Sequence, residues 1–196
     1  MWRIGEYPIV RILPYLITPG APVMSVNLRD ITSDDLPLIE KWLRADHVRS
    51  VWGDPDQNLR LLREPAVRGA WRAIIEVDGR KVGVVLWQHP SREELDAAGL
   101  TDIPTSVIDI DIMIGEPAAL GSGIGSTTIR LVTEVAFTDS AVPFVMACAR
   151  VDNGASRRAF AKAGFCTDRE FDDGPDGRYV LMVRDRATTT DAVEEL

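Results

Sequence analysis

Two cysteines and two histidines are all that this 196-residue chain offers to disulfide or metal chemistry. Cys148 and Cys166 make no disulfide framework, and with His47 and His89 they fall into no metal-ligand spacing. The expectation is no metal and a reducing, cytoplasmic setting. Long apolar runs are missing too. Residues 8–17 are apolar but broken by Arg11 and Pro14, short of the roughly 20 residues that a bilayer requires. The residue order of a secretory signal is absent, so no membrane partner is expected. There is no basic excess. The 22 Lys and Arg stand against 30 Asp and Glu, a net charge of −8. That argues against nucleic acid as a partner and leaves room for a cationic ligand. Internal repeats and dividing linkers are also lacking.

What is present is an ordinary globular mixture, 45% hydrophobic and 27% charged, long enough to bury a core as one domain. Residues 24–185 are expected to form it. Residues 1–23 read as an N-terminal extension outside the core, and 186–196 as a polar tail prone to fraying. A monomer or homodimer is expected. Period-two and helical patterns alternate along the domain. A first strand is expected at 26–31. A helix follows to about residue 46, capped by Ser33, with Asp34 and Asp35 in its first turn. Residues 47–68 read as loop or short helix. Two β-rich runs, 71–77 and 81–88, flank Asp78-Gly79 as a hairpin. A strand at 106–114 leads through a glycine-rich loop into a helix at 126–137. A strand at 144–151 then leads into a helix capped by Asp152 or Asn153 and ended by Gly164, and a last hairpin spans 165–183. The order predicts a mixed α/β domain, with a mostly antiparallel sheet flanked by helices.

Two stretches carry chemistry. In 106–114, Ile108, Ile110, Ile112 and Ile114 share one strand face, while Val107, Asp109, Asp111 and Met113 share the other. One carboxylate on that second face is placed to take a proton from a nucleophile. The same alternation also fits a strand whose polar face is merely wet. Next, Gly121-Ser122-Gly123-Ile124-Gly125 follows a strand and opens a helix. Unpaired N–H groups and the positive dipole end at such a start favour an anion such as a pyrophosphate. The spacing fits neither the dinucleotide fingerprint nor the Walker loop. A plain tight connection is the alternative reading.

The run Ile-Asp-Ile-Met-Ile-Gly-Glu-Pro-Ala-Ala-Leu-Gly-Ser-Gly-Ile-Gly (110–125) resembles the acetyl-CoA-binding motif of the GCN5-related N-acetyltransferase (GNAT) superfamily. Asp-Asn-Gly-Ala-Ser-Arg-Arg-Ala-Phe-Ala-Lys-Ala-Gly-Phe (152–165) resembles its second motif. Trp42-Leu43, His47 and Trp52-Gly53 are similar to the first helix and loop of aminoglycoside 6′-N-acetyltransferases. Siderophore hydroxylysine acetyltransferases share that block and the Ile-Gly-Glu-Pro step. The resemblance implies a sheet whose central strands, 106–114 and 144–151, splay apart around the pantetheine arm of acetyl-CoA. Backbone groups of Ile112, Met113 and Ile114 would pair with that arm. N–H groups of Gly121, Ser122, Gly123, Ile124, Gly125 and Ser126 would hold the pyrophosphate. Asn153 and Phe160 would also lie on the cofactor, with a plain core side chain as the alternative reading of Phe160. Asp111 matches the family's base or substrate-orienting acid, and a backbone N–H near Met113 would polarise the thioester carbonyl.

Two residues depart from the family pattern. A basic residue common inside the loop is Ser122 here, which Arg157, Arg158 or Lys162 would have to offset. The tyrosine thought to protonate the leaving thiolate is Phe160. For the acceptor, Glu93, Glu94, Asp96, Asp102, Asp109 and Asp111 face only Arg92 within 89–111, which suits a cationic small-molecule amine. Asp109 would raise the upper pKa of an Asp109–Asp111 pair by like-charge repulsion. Trp52 would cover a sugar or alkyl face, or else fill the core. His47 reads as a hydrogen-bonded structural histidine. The expected activity is acetyl transfer to an aminoglycoside 6′-amine. The alternatives are acylation of a siderophore hydroxylamine and non-catalytic binding of acetyl-CoA.

Overall fold

The computed structural model describes residues 25–174 and 177–186. The readings of 1–23 and of 187–196 lie outside the described residues. Seven strands form one sheet in the order β1-β2-β3-β4-β5-β7-β6. They are β1 (Val26–Asp30), β2 (Ala70–Val77), β3 (Arg80–Gln88), β4 (Ile108–Ile114), β5 (Phe144–Arg150), β6 (Cys166–Asp172) and β7 (Arg178–Asp185). Every pairing is antiparallel except β4 with β5. The β2–β3 hairpin turns where Asp78 (φ 49°) and Gly79 (φ 78°) both take left-handed backbone, the conformation that Asp-Gly supplies most readily.

Helices α5 (Ile124–Ala136) and α6 (Gly154–Lys162) cover one sheet face. Ile108 and Ile110 of β4 meet Ile129, Val132 and Phe160 there in the main core. Burying one such side chain is worth roughly 1.5–3 kcal/mol. The opposite face carries two separate cores. Helices α1 (Leu36–Arg44), α2 (Asp46–Trp52) and α3 (Pro55–Arg63) pack Ile39, Trp42, Val48 and Leu59 against Ile74, Val84 and Met113. Helix α4 (Arg92–Ala97) places Leu95 with Leu100, Ile103, Val107, Met146 and Leu181. The two cores reach β4 at Met113 and, just before its first residue, at Val107, and the aspartate pair lies between them.

The entry to the first helix differs from expectation. Thr32, not Ser33, caps a 3-10 turn at Ser33–Asp35, which runs on into α1. Asp35 is fully buried. It accepts from Arg29 at 2.7 and 2.8 Å, from Lys81 at 2.7 Å and from the Thr32 backbone at 2.8 Å. These partners hold its carboxyl far below the usual aspartate range, the Arg29 hydrogen bond contributing most. Residues 47–68 resolve into α2 and α3. Gly53 turns the chain at φ 75°, and Asp54 caps α3 by accepting from Asp56 and Gln57.

Candidate active site

The parallel register between β4 and β5 holds only at Ile108–Val145 and Asp109–Met146. Beyond that the strands part. Which backbone groups face the gap follows from the ladder on either side. Gly115 N–H donates to the Val82 carbonyl at 2.9 Å, so the facing pair Gly83–Ile114 is of the non-hydrogen-bonded kind. Alternation then turns the backbone groups of Asp109, Asp111 and Met113 toward β3. Those of Ile110, Ile112 and Ile114 point toward β5. Across the gap, Val151 N–H bonds to the Arg178 carbonyl, and the same count turns Cys148 N–H and C=O away from β7. The gap therefore presents the amides of Ile112, Ile114 and Cys148. Met113 does not share in this edge, because its N–H and C=O are spent on Val84 of β3. Of the edge expected at Ile112, Met113 and Ile114, the backbone groups turned into the gap are those of Ile112 and Ile114.

A cleft of about 270 Å³ opens here. Its walls include Ile112, Met113, Ile114, Gly121, Gly123, Ile124, Gly125, Ser126 and Asn153, with His47 and Trp52 from α2. Gly121 (φ 74°) and Gly123 (φ 88°) are left-handed, and a Cβ on either would touch nothing within 4 Å. The loop thus needs glycine for its backbone conformation rather than for space. Gly123 caps α5 without a side chain, and Thr127 N–H is the first to find a helical carbonyl, that of Gly123. The N–H groups of residues 123–126 are left for a ligand. Asn153 caps α6 by accepting from Ser156 N–H at 3.1 Å through Oδ1, which leaves its amide hydrogens to the cleft. Arg158 and Lys162, one helical turn apart on α6, also line it. Arg157 turns back to the Val151 carbonyl at 3.1 Å.

Two expected cofactor contacts are not in the cleft wall. Ser122 donates its Oγ to the Ala119 carbonyl at 2.6 Å. Phe160 is 3% exposed and packs edge-on against Phe165, ring centres 5.1 Å apart. A ring without a hydroxyl gains nothing from facing water and is buried with its own kind.

Asp109 and Asp111 are not part of the 270 Å³ wall; they sit on the face of β4 between the two smaller cores. Asp111 is exposed. Its pKa is nonetheless raised by desolvation. Both hold for a carboxylate that water reaches from one side while protein crowds the rest. Asp109 is deeper: its Oδ1 is buried and meets no donor. Burial pushes its pKa well up, and the charge of Asp111 adds to it. Both carboxyls are thus held above the ordinary aspartate range, chiefly by burial. Cys148 shares this surroundings, its thiol pushed up by burial and then by the two aspartates. Among the described residues, no group of His, Cys, Asp and Glu is placed to hold a metal, and no helix is long and apolar enough to cross a membrane.

A larger cavity, about 550 Å³, lies against β1, α3 and α5. Leu28, Trp71, Trp87, Val132 and Val135 line it. Arg29 there is engaged by Asp35 and Glu76, and Arg72 by the Leu61 and Glu64 carbonyls. Size favours this cavity. Chemistry favours the smaller cleft, where backbone donors and two cations converge.

Comparison with known proteins gives the family. An acetyltransferase (GNAT) domain family matches residues 32–173. Aminoglycoside N(6′)-acetyltransferase type 1 from Klebsiella pneumoniae is 26% identical over 170 residues, covering 83% of this chain and 84% of that protein, and the Serratia marcescens protein of the same name matches equally. A crystal structure of the aminoglycoside acetyltransferase AAC(6′)-Ib with coenzyme A superposes with a TM-score of 0.68 at 26% identity, covering 83% of this chain and 95% of that one. The same enzyme with ribostamycin and coenzyme A gives 0.71 at 25% identity, covering 86% and 99%. The chain belongs to the GNAT acetyltransferase family and is an acetyl-CoA-dependent acetyltransferase of that type.

Proposed function

We propose that the chain acetylates a primary amine of a small cationic acceptor, with an aminoglycoside 6′-amine as the first candidate. The observation that carries this reading is the placement of Asp111. It is a water-reached carboxylate next in sequence to Ile112, whose amide opens into the gap between β4 and β5. The relatives named above for aminoglycosides favour that acceptor class.

The residues fit acetyl-CoA. The free N–H groups at the start of α5 suit its pyrophosphate, with Gly121 ahead of them. Arg158 and Lys162 supply the positive charge that Ser122 does not. Ile112 and Ile114 offer a strand edge to the pantetheine amides, and Asn153 offers amide hydrogens. When bound, acetyl-CoA supplies a thioester-activated acetyl group. Asp111 holds the acceptor's ammonium and receives its proton, a role that a raised pKa favours. Burial of Asp109 favours its protonated form, which would leave the pair singly charged. Ile112 N–H donates toward the carbonyl oxygen on which charge develops. Trp52 covers the acceptor from α2. The proton required by the departing sulfur comes from water, since Phe160 offers none.

A panel of aminoglycosides, polyamines and hydroxylamines, read by released thiol, tests the acceptor. Turnover on hydroxylysine and none on amines would overturn the amine reading. Binding of acetyl-CoA with no turnover on any acceptor would leave a sensor instead. Asp111→Asn is expected to lower kcat about a hundredfold or more while CoA affinity by calorimetry stays as in the wild type. An unchanged kcat would remove Asp111 from the chemistry.

A further inference from the structure

The parting of β4 from β5 strips strand partners from the end of β4, and a backbone carbonyl left unpaired inside a protein is costly. The Ile114 carbonyl is not left so. His47 Nε2, from α2, lies 3.2 Å from it. A carbonyl oxygen only accepts, so Nε2 carries the proton in this contact. The other end of the same peptide unit is also held, Gly115 N–H on the Val82 carbonyl at 2.9 Å. Gly115 has no side chain because the Trp42 ring lies against it. A Cβ there would sit 2.1 Å from the indole. Trp42 Nε1 then donates to Glu116 Oε1 at 2.8 Å. Without those bonds, a glycine following an unpaired strand end would leave the peptide plane free to turn.

We infer that His47 is a positioning residue for the cofactor edge. By taking the Ile114 carbonyl it shares with the Gly115–Val82 bond in holding the Ile114–Gly115 peptide plane, and so keeps the end of the Ile112–Ile114 edge from turning out of the gap. The same bond ties β4 to α2, whose Trp52 lines the cleft with it. One imidazole thereby joins the cofactor edge to the wall above it. This rests on the reading of the cleft as the acetyl-CoA site.

Calorimetric titration of the full chain with CoA, without any acceptor, tests it. Gln reaches with its amide nitrogen to about where Nε2 stands, whereas Asn stops short. His47→Ala and His47→Asn are expected to weaken CoA binding about fivefold, the size of one lost neutral hydrogen bond. His47→Gln is expected to stay within about twofold of the wild type, half the free energy or less of that loss. In turnover assays the KM for acetyl-CoA should rise in Ala and Asn by more than kcat falls. Should Ala prove poorly folded, Gln against Asn carries the comparison. Equal affinity in wild type and Asn overturns the inference, as does equal loss in Gln and Asn. A wild type that ignores CoA brings down the reading of the cleft itself. A wild type that binds CoA while the variants follow no such order brings down only the role of His47.

Discussion

Asp109 and Asp111 stand two residues apart on one strand face, about 6.6 Å by strand rise, yet their surroundings give them different tasks. Asp111 is wet and Asp109 has a buried oxygen with no donor. Burial disfavours the charge on both, and Asp109 also feels Asp111. The consequence for stability has a definite sign. Well below the ordinary aspartate value of about 3.9, Asp109 is protonated folded and unfolded and contributes nothing. Above it, the unfolded chain ionises while the folded one holds its proton, so stability is lost as pH rises, until the raised folded pKa is passed. Asp109→Asn removes this penalty. Its melting temperature relative to wild type should therefore climb as pH rises above about 4. Melts recorded over that range of pH check it. A difference constant with pH would mean that Asp109 titrates as an ordinary aspartate.

At the scale of elements, the segments read well from sequence were those whose information is local. The period-two run of β4 declares both its faces, and Asp-Gly declares the β2–β3 turn. Helices α2 and α3 were less legible, because seven and nine residues interrupted by Gly53 and Pro55 are too short to display a helical period. The surroundings of Phe160 and the backbone direction at Met113 were not legible for another reason. Motif position says which residue occupies a place, but which way a backbone amide points depends on the partner strand's register. Asp35 shows the same limit. It reads locally as a first-turn acid, whereas its partners are Arg29 on β1 and Lys81 on β3, and it thereby bolts the α1 entry to the sheet edge. Asp35→Ala would leave two cations facing a buried void, and is expected to cost about 3–5 kcal/mol in denaturant unfolding. Because its folded pKa is depressed, the carboxylate's contribution is present above the ordinary aspartate value and is lost as pH falls through that value and on toward the folded one. The wild type should approach the variant's stability in strong acid. Equal stability at neutral pH would show that the ion pairs contribute nothing net.

At the scale of the whole molecule, the sheet of the described residues is one ladder whose strands part at the seam between β4 and β5. Three cores hold it: the main one spans the seam on the α5 and α6 side, and the two smaller ones flank it on the other. The seam stays open because its strands share only two register positions, and acetyl-CoA is expected to act there as the missing strand. Ligand bound only to the folded state stabilises by mass action, by about 2.7 kcal/mol at a hundred times Kd. The distribution of that protection is the sharper test. Amides of Ile112, Ile114 and Cys148 face the seam and should exchange with solvent rapidly in the free protein. Those of Asp111, Met113 and Ala149 belong to the ladders with β3 and β7 and should be slow throughout. Adding CoA should slow the first set, most strongly at Ile112 and Ile114, and leave the second nearly unchanged. Residue-resolved hydrogen exchange with and without CoA reads this directly. Equal slowing of odd and even positions along β4 would mean that the ligand tightens the fold as a whole without pairing to the strand. Slowing confined to residues 123–126 would mean that only the phosphate end is gripped.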